Sequence, residues 1–184
     1  MIGIDMIFLH TTRKACHRET LAFLILAANL VGGCSQCWYG CPQPVAPLAS
    51  RSVCLEVPEV ARPGALEAIK NWNTALNGKL TLLVSTQACD LLILESPQPP
   101  CPDGALACGD KLGGSTIYLR KGDYERRPAN IIAHELGHLL GAQHVEGTLM
   151  ATTGAPQACP DQTTVAQVAA YQHWNLAELR FCSL

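Results

Sequence analysis

The 184-residue chain is poor in charge: only 15% of its residues are Asp, Glu, Lys or Arg, and the formal net charge is −2. Without a basic excess there is no electrostatic footprint for nucleic acid. The chain also lacks an apolar run of the roughly 20 residues that a membrane-spanning helix requires. Its ten cysteines lack the repeated C-x₂-C spacing of zinc ribbons, which argues against a cysteine-rich metal module. What remains is 48% hydrophobic, enough for a globular body, and the length suggests one domain.

The N-terminal 33 residues read as an export signal. Arg13, Lys14 and Arg18 form a basic segment, followed by the apolar stretch Leu21–Val31. That stretch is too short to span a bilayer and suits a signal peptide. The basic segment is long, so Met6 is an alternative start to Met1. Val31-Gly32-Gly33-Cys34 resembles a bacterial lipobox, which implies that Cys34 becomes the lipidated first residue. Ser35 would then favour the outer membrane. The alternative is an ordinary secreted protein cleaved near Gly33. Residues 34–50 hold three prolines and no clear periodicity, and read as a tether. The expected organisation is a signal at 1–33, a lipid-anchored tether at 34–50 and a folded domain at 51–184.

Setting aside Cys16 in the signal and Cys34 leaves Cys37, Cys41, Cys54, Cys89, Cys101, Cys108, Cys159 and Cys182. An even number in an exported chain allows up to four disulfides. Cys182 is expected to tie the end of the last helix back to the N-terminal half. Cys41-Pro42 also raises latency, in which a cysteine occupies a metal's open position, although its surroundings favour a disulfide.

Ser52–Val57 alternates like a strand, and Pro63, Leu66, Ile69, Trp72 (or Asn73) and Leu76 follow helical spacing up to Asn77-Gly78. Leu80–Ser85 and Leu91–Leu94 are short apolar runs, expected as buried strands. Residues 96–114 are rich in proline, glycine and cysteine and read as loop, with a short strand at 105–108. Ser115–Arg120 alternates as a further strand. Pro128 opens a helix with apolar positions at Ile131, Ile132, Leu136, Leu139 and Leu140. A last helix is expected from Thr163 to about Leu179, with Val165, Val168, Ala169, Trp174 (or Gln172) and Leu176 inward.

The chemistry concentrates in His134-Glu135-Leu136-Gly137-His138-Leu139-Leu140-Gly141-Ala142-Gln143-His144. The chance occurrence of its five fixed positions in a chain this size is on the order of one in a hundred thousand. His134 and His138 are four apart, hence on one helix face, one turn apart. Gly141 can adopt φ > 0, so the helix can end there and turn back. That turn lets His144 approach as a third ligand. Three protein ligands leave a fourth position open, the arrangement of a catalytic zinc site. Zinc in such a site polarises a carbonyl and acidifies water, and Glu135 is placed to act as general base and then as proton donor to the leaving amine.

This pattern, with Met150 six residues after His144, resembles the metzincin clan of metallopeptidases, most closely its bacterial matrixin-like members. The resemblance is strong at the motif and weak elsewhere, over roughly Arg51 to the C-terminus. It implies an α/β (α+β) catalytic domain: a twisted mixed sheet, an active-site helix, a methionine turn and a C-terminal helix. It implies His134, His138 and His144 as ligands of one catalytic Zn²⁺ and Glu135 as catalytic base. Gly141 would be the turn glycine and Met150 the hydrophobic floor. The strand near 105–108 would lie at the sheet edge beside the metal, open to an extended peptide. Ala151–Gln157 would wall the pocket. Astacin-like and serralysin-like relatives carry a tyrosine where this chain has Thr152, so no such residue is expected to assist the oxyanion. After residue 34 the further histidine is His173, expected as an exposed helix residue, so a second histidine-rich zinc site is not expected. Asp103, Asp110 and Asp123 raise calcium, but isolated loop aspartates are commonly turn formers. The implied partners are a protein or peptide substrate and, through the lipid, a membrane; the enzyme is expected to be a monomer on the periplasmic or surface face. The rivals are a zinc-containing binding or adhesion protein without turnover and a hydrolase of cell-wall peptides.

Overall fold

A computed structural model describes residues 52–109, 115–152 and 157–182. The signal, the tether, Cys34, Cys37 and Cys41 lie outside the described residues, as does Asp110.

The first strand, β1 (Ser52–Glu56), is followed by helix α1 (Arg62–Leu76) and strand β2 (Thr81–Ser85). Then come β3 (Leu91–Ser96), β4 (Ala107–Gly109), β5 (Thr116–Arg120), helix α2 (Pro128–Leu140) and helix α3 (Gln162–Gln172). The five strands form one mixed sheet in the order β2-β1-β3-β5-β4. β2, β1, β3 and β5 run parallel, whereas β4 pairs antiparallel with β5, Cys108 opposite Tyr118. The expected α/β class and the edge position of the short strand are therefore both present. Among the described residues no helix is long and apolar enough to cross a membrane.

The sheet is covered on one side. Val53, Leu55, Leu82, Leu91, Ile93, Ile117 and Leu119 point into a core shared with the helices. Their neighbours do not: Leu83 is 49% and Leu94 38% exposed. The apolar runs of β2 and β3 are thus half-buried strands rather than the fully buried ones expected. Parallel strands read as continuous hydrophobic runs when helices cover both faces; here the helices pack against one.

α1 and α2 approach each other closely. A Cβ on Gly64 would stand 2.6 Å from the Pro128 Cβ, so glycine is what fits at that crossing. The buried stripe of α1 is Ala65, Ala68, Ile69, Trp72, Ala75 and Leu76. Leu66, expected inward, is 49% exposed, because small alanines rather than leucine face the neighbouring helix. Trp72 is fully buried, and its indole N–H donates to the Ala133 carbonyl of α2 at 2.9 Å.

The last helix is shorter than expected. It stops at Gln172 because His173 turns left-handed (φ 58°) and the Trp174 N–H returns to the Ala169 carbonyl at 2.9 Å. This is a Schellman-type ending without its usual glycine. Leu176 lies in a separate 3₁₀ turn and is 38% exposed. His173 is exposed, as anticipated.

Three disulfides join described cysteines: Cys54–Cys89, Cys101–Cys108 and Cys159–Cys182. Cys182 therefore stays within the C-terminal part instead of reaching the N-terminal half. Hydrogen bonds make that longer connection: Arg180 N–H donates to the Ala75 carbonyl at 2.9 Å, and the Asn77 amide to the Glu178 carbonyl at 2.8 Å. An ion pair between Lys79 and Glu178 adds to them.

Candidate metal centre

Pro128 sits at the start of α2, where its missing N–H is no loss. The helix carries His134, Glu135 and His138 and ends at Gly141 (φ 107°). A side chain at Gly141 would be strained by its backbone and would also collide with the Tyr171 ring of α3. The chain then reverses, and His144 returns towards the helix it has left.

The three imidazoles converge. His144 Nε2 lies 3.3 Å from His134 Nε2 and 3.0 Å from His138 Nε2. The Nδ1 atom of His134 is 2.9 Å from the Leu149 carbonyl, and that of His138 is 2.9 Å from the Ala142 carbonyl. A carbonyl can only accept, so both Nδ1 atoms carry the proton. Their Nε2 atoms are then left with lone pairs aimed at a common point. Facing lone pairs repel, unless a cation lies between them. Nitrogens bound tetrahedrally at zinc distances stand about 3.3–3.4 Å apart, near the two spacings from His144, and all three ligand atoms lie within 4.8 Å of one another. The three histidines thus form a group that can hold a metal ion.

Electrostatics agree with that use. Burial takes His134 down to about 4, against the hydrogen bond to Leu149 and with the neighbouring His144 adding to the fall. His138 is pulled well below its ordinary value by burial and then by His134 and His144. Burial lowers His144 as well, opposed by Glu146. All three are neutral at pH 7, the form that binds metal. Glu135 is buried next to the first ligand, and burial raises its carboxyl to about 8. A cation beside it would favour the ionised form instead.

The six residues from His144 to Met150 are folded by their own bonds. Val145 N–H donates to the Met150 carbonyl at 3.1 Å, and Thr148 Oγ1 donates to the Val145 carbonyl at 2.7 Å. Met150 is fully buried. A Cβ on Gly137 would overlap its Sδ, so the glycine between the two helical histidines leaves room for the methionine. Glu146 accepts from the backbone N–H of Thr152 at 3.0 Å and from its hydroxyl. Part of the expected pocket wall, residues 153–156, lies outside the described residues. Asp103 and Asp123 are exposed.

α3 supplies contacts that motif reading missed. Asp161 caps the helix and also accepts the Leu149 N–H at 2.8 Å. Gln167 Oε1 accepts the Gln143 N–H at 2.6 Å, one residue before His144. The Gln172 amide donates to the Leu140 carbonyl at 3.1 Å. Asp161 ahead of the helix is a helix-start signal that the sequence offers; no sequence signal pairs Gln167 with Gln143 or Gln172 with Leu140.

Among the described residues, β4 is the last strand at one edge of the sheet. The loop before it is closed by Cys101–Cys108 and held by the Arg120 guanidinium, whose Nε donates to the Ala105 carbonyl at 2.8 Å. No protein-family model matches the chain, and no curated protein matches it either.

Proposed function

We propose that the chain is a zinc-dependent endopeptidase of metzincin type. The observation that carries this reading is the convergence of His134, His138 and His144 through Nε2, with Nδ1 of the two helical histidines engaged by backbone carbonyls. Zinc, when bound there, supplies Lewis acidity that polarises a scissile carbonyl and acidifies water. Every other part falls to the chain. The Leu149 and Ala142 carbonyls hold the helical imidazoles in the ligating tautomer. Glu135 takes a proton from the attacking water at a carboxylate oxygen and delivers it to the leaving amine nitrogen. The outer edge of β4 offers backbone N–H and C=O groups to a substrate in extended form. Met150, fully buried against Gly137, would be the hydrophobic floor that the resemblance implies.

The export signal, a lipid on Cys34 and a place in the outer membrane belong to the same reading. The three disulfides support an oxidising compartment. Mass spectrometry of the mature N-terminus tests the lipid: a lipidated Cys34 is expected, and an unmodified residue at another position contradicts it.

The test of activity compares wild type with Glu135→Ala, both zinc-loaded. Casein cleavage is expected from wild type and is lost in the variant, while zinc content stays the same. Equal inertness of both proteins over a broad peptide library would favour a binding protein. Release of peptides from purified peptidoglycan, with denatured protein left intact, would favour a cell-wall hydrolase.

A further inference from the structure

Asp161 is a charged residue with 8% exposure, placed at the start of α3. Its burial has to be compensated by donors. Oδ1 accepts the Thr164 N–H at 3.0 Å; Oδ2 accepts the Thr164 hydroxyl at 2.8 Å and the Leu149 N–H at 2.8 Å. A helix cap needs only the first of these, and serine or asparagine supplies it as well as aspartate. The bond to Leu149 belongs to something else. Leu149 is fully buried, so its N–H has no access to water. The carbonyl of the same residue holds His134 Nδ1 at 2.9 Å. A line of contacts therefore runs from the Asp161 carboxylate, through Leu149, to a ligand ring. The residue after Leu149 is Met150, packed against Gly137.

From these contacts we infer that Asp161 is a positioning residue for the metal centre: by fixing Leu149 it sets the direction of His134 Nε2 and hence the affinity for the ion. This rests on the metal-centre reading, not on peptide hydrolysis. Partners that orient ligating histidines are worth about 10–100-fold in metal affinity when mutated. Asp161 acts one residue further out, so about tenfold is expected.

Asp161→Asn separates the two roles. Asparagine caps a helix well, but its amide nitrogen cannot accept. With its oxygen on Thr164, the amide would face the Leu149 N–H, donor against donor. Asp161→Ser also caps and is too short to reach Leu149. Thr164→Val is the control, because it removes the hydroxyl donor and leaves the Leu149 contact in place. The measurements are Zn²⁺ affinity by chelator competition and the visible spectrum of the Co²⁺-loaded protein, alongside thermal stability. Both Asp161 variants are expected to bind Zn²⁺ about tenfold more weakly with an altered Co²⁺ spectrum, while Thr164→Val loses stability with affinity and spectrum unchanged. The inference is overturned if the Asp161 variants match wild type in both readouts. It is equally overturned if affinity falls in Thr164→Val as far as in the Asp161 variants, since that would mark a purely structural cap. A wild-type protein that takes up neither ion removes the metal centre itself, a different result from any of these.

Discussion

The sheet with α1 and the segment from Gly141 to Asp161 are held together in different ways. The first is apolar burial: seven inward aliphatic side chains from four strands meet Trp72 and the alanines of α1. The described residues of the second, 141–152 and 157–161, also bury Leu149 and Met150 but are fixed in addition by directed bonds, a left-handed glycine and a buried carboxylate. Apolar packing is non-directional and tolerates repacking. A metal centre must hold three nitrogens to within a few tenths of an ångström, and hydrogen bonds with defined angles supply that. Stability and site geometry are expected to be separable in this molecule.

The largest effect should come from Leu55→Ala in β1, where the side chain is fully buried. A loss of about 2–5 kcal/mol is expected in denaturant unfolding, with the Zn²⁺ affinity of the folded protein unchanged. A parallel loss of affinity would erase the distinction between the regions. Gly141→Ala should differ by lowering affinity as well as stability. Its positive φ and the Tyr171 ring predict a stability loss of about 1–3 kcal/mol, accompanied by weaker Zn²⁺ binding, because the turn that returns His144 must shift. Isothermal titration checks the second half.

The smallest effect is a slope. In metal-free protein the folded chain keeps a proton on Glu135 up to about pH 8, whereas the unfolded chain releases it near the ordinary carboxylate value. Folded protein then binds more protons between those values, so Glu135 makes stability fall as pH rises. The histidines act oppositely: His134 titrates near 4 when folded, so stability rises with pH through about 6.5, where the unfolded chain loses those protons. The histidine contribution fades only above pH 7, so the carboxyl dominates from about pH 7.2 to 8, where stability should drop by about 0.5 kcal/mol in all. Zinc, which favours the carboxylate, or Glu135→Gln should flatten the slope. Unfolding curves at pH 6.5, 7.2 and 8 measure it.

What could be read from the sequence follows the same division. The pairing of His134 with His138 and the glycine ending of α2 were legible because they rest on local helix geometry and on φ. The short strand was expected at 105–108 and is found at Ala107–Gly109; its edge position followed from the family resemblance and not from the local pattern. The half-exposed faces of β2 and β3 were not legible, since a run such as Leu-Leu-Ile-Leu looks the same whether one side or both is covered. The end of α3 was hidden because a histidine, not a glycine, takes the left-handed position. The partner of Cys182 was hidden because spacing does not choose among pairings. Asp161 was not read as a cap, since the helix was expected to start at Thr163, and its second oxygen meets Leu149 twelve residues away, a contact that only the folded chain creates.

X-ray absorption on the zinc-loaded protein tests the central claim most directly. One zinc per chain with three imidazole nitrogens at about 2.0–2.1 Å and a fourth, light-atom ligand is the predicted result. Fewer than three imidazoles at the metal, or a wild-type spectrum that survives His144→Ala unchanged, would contradict it.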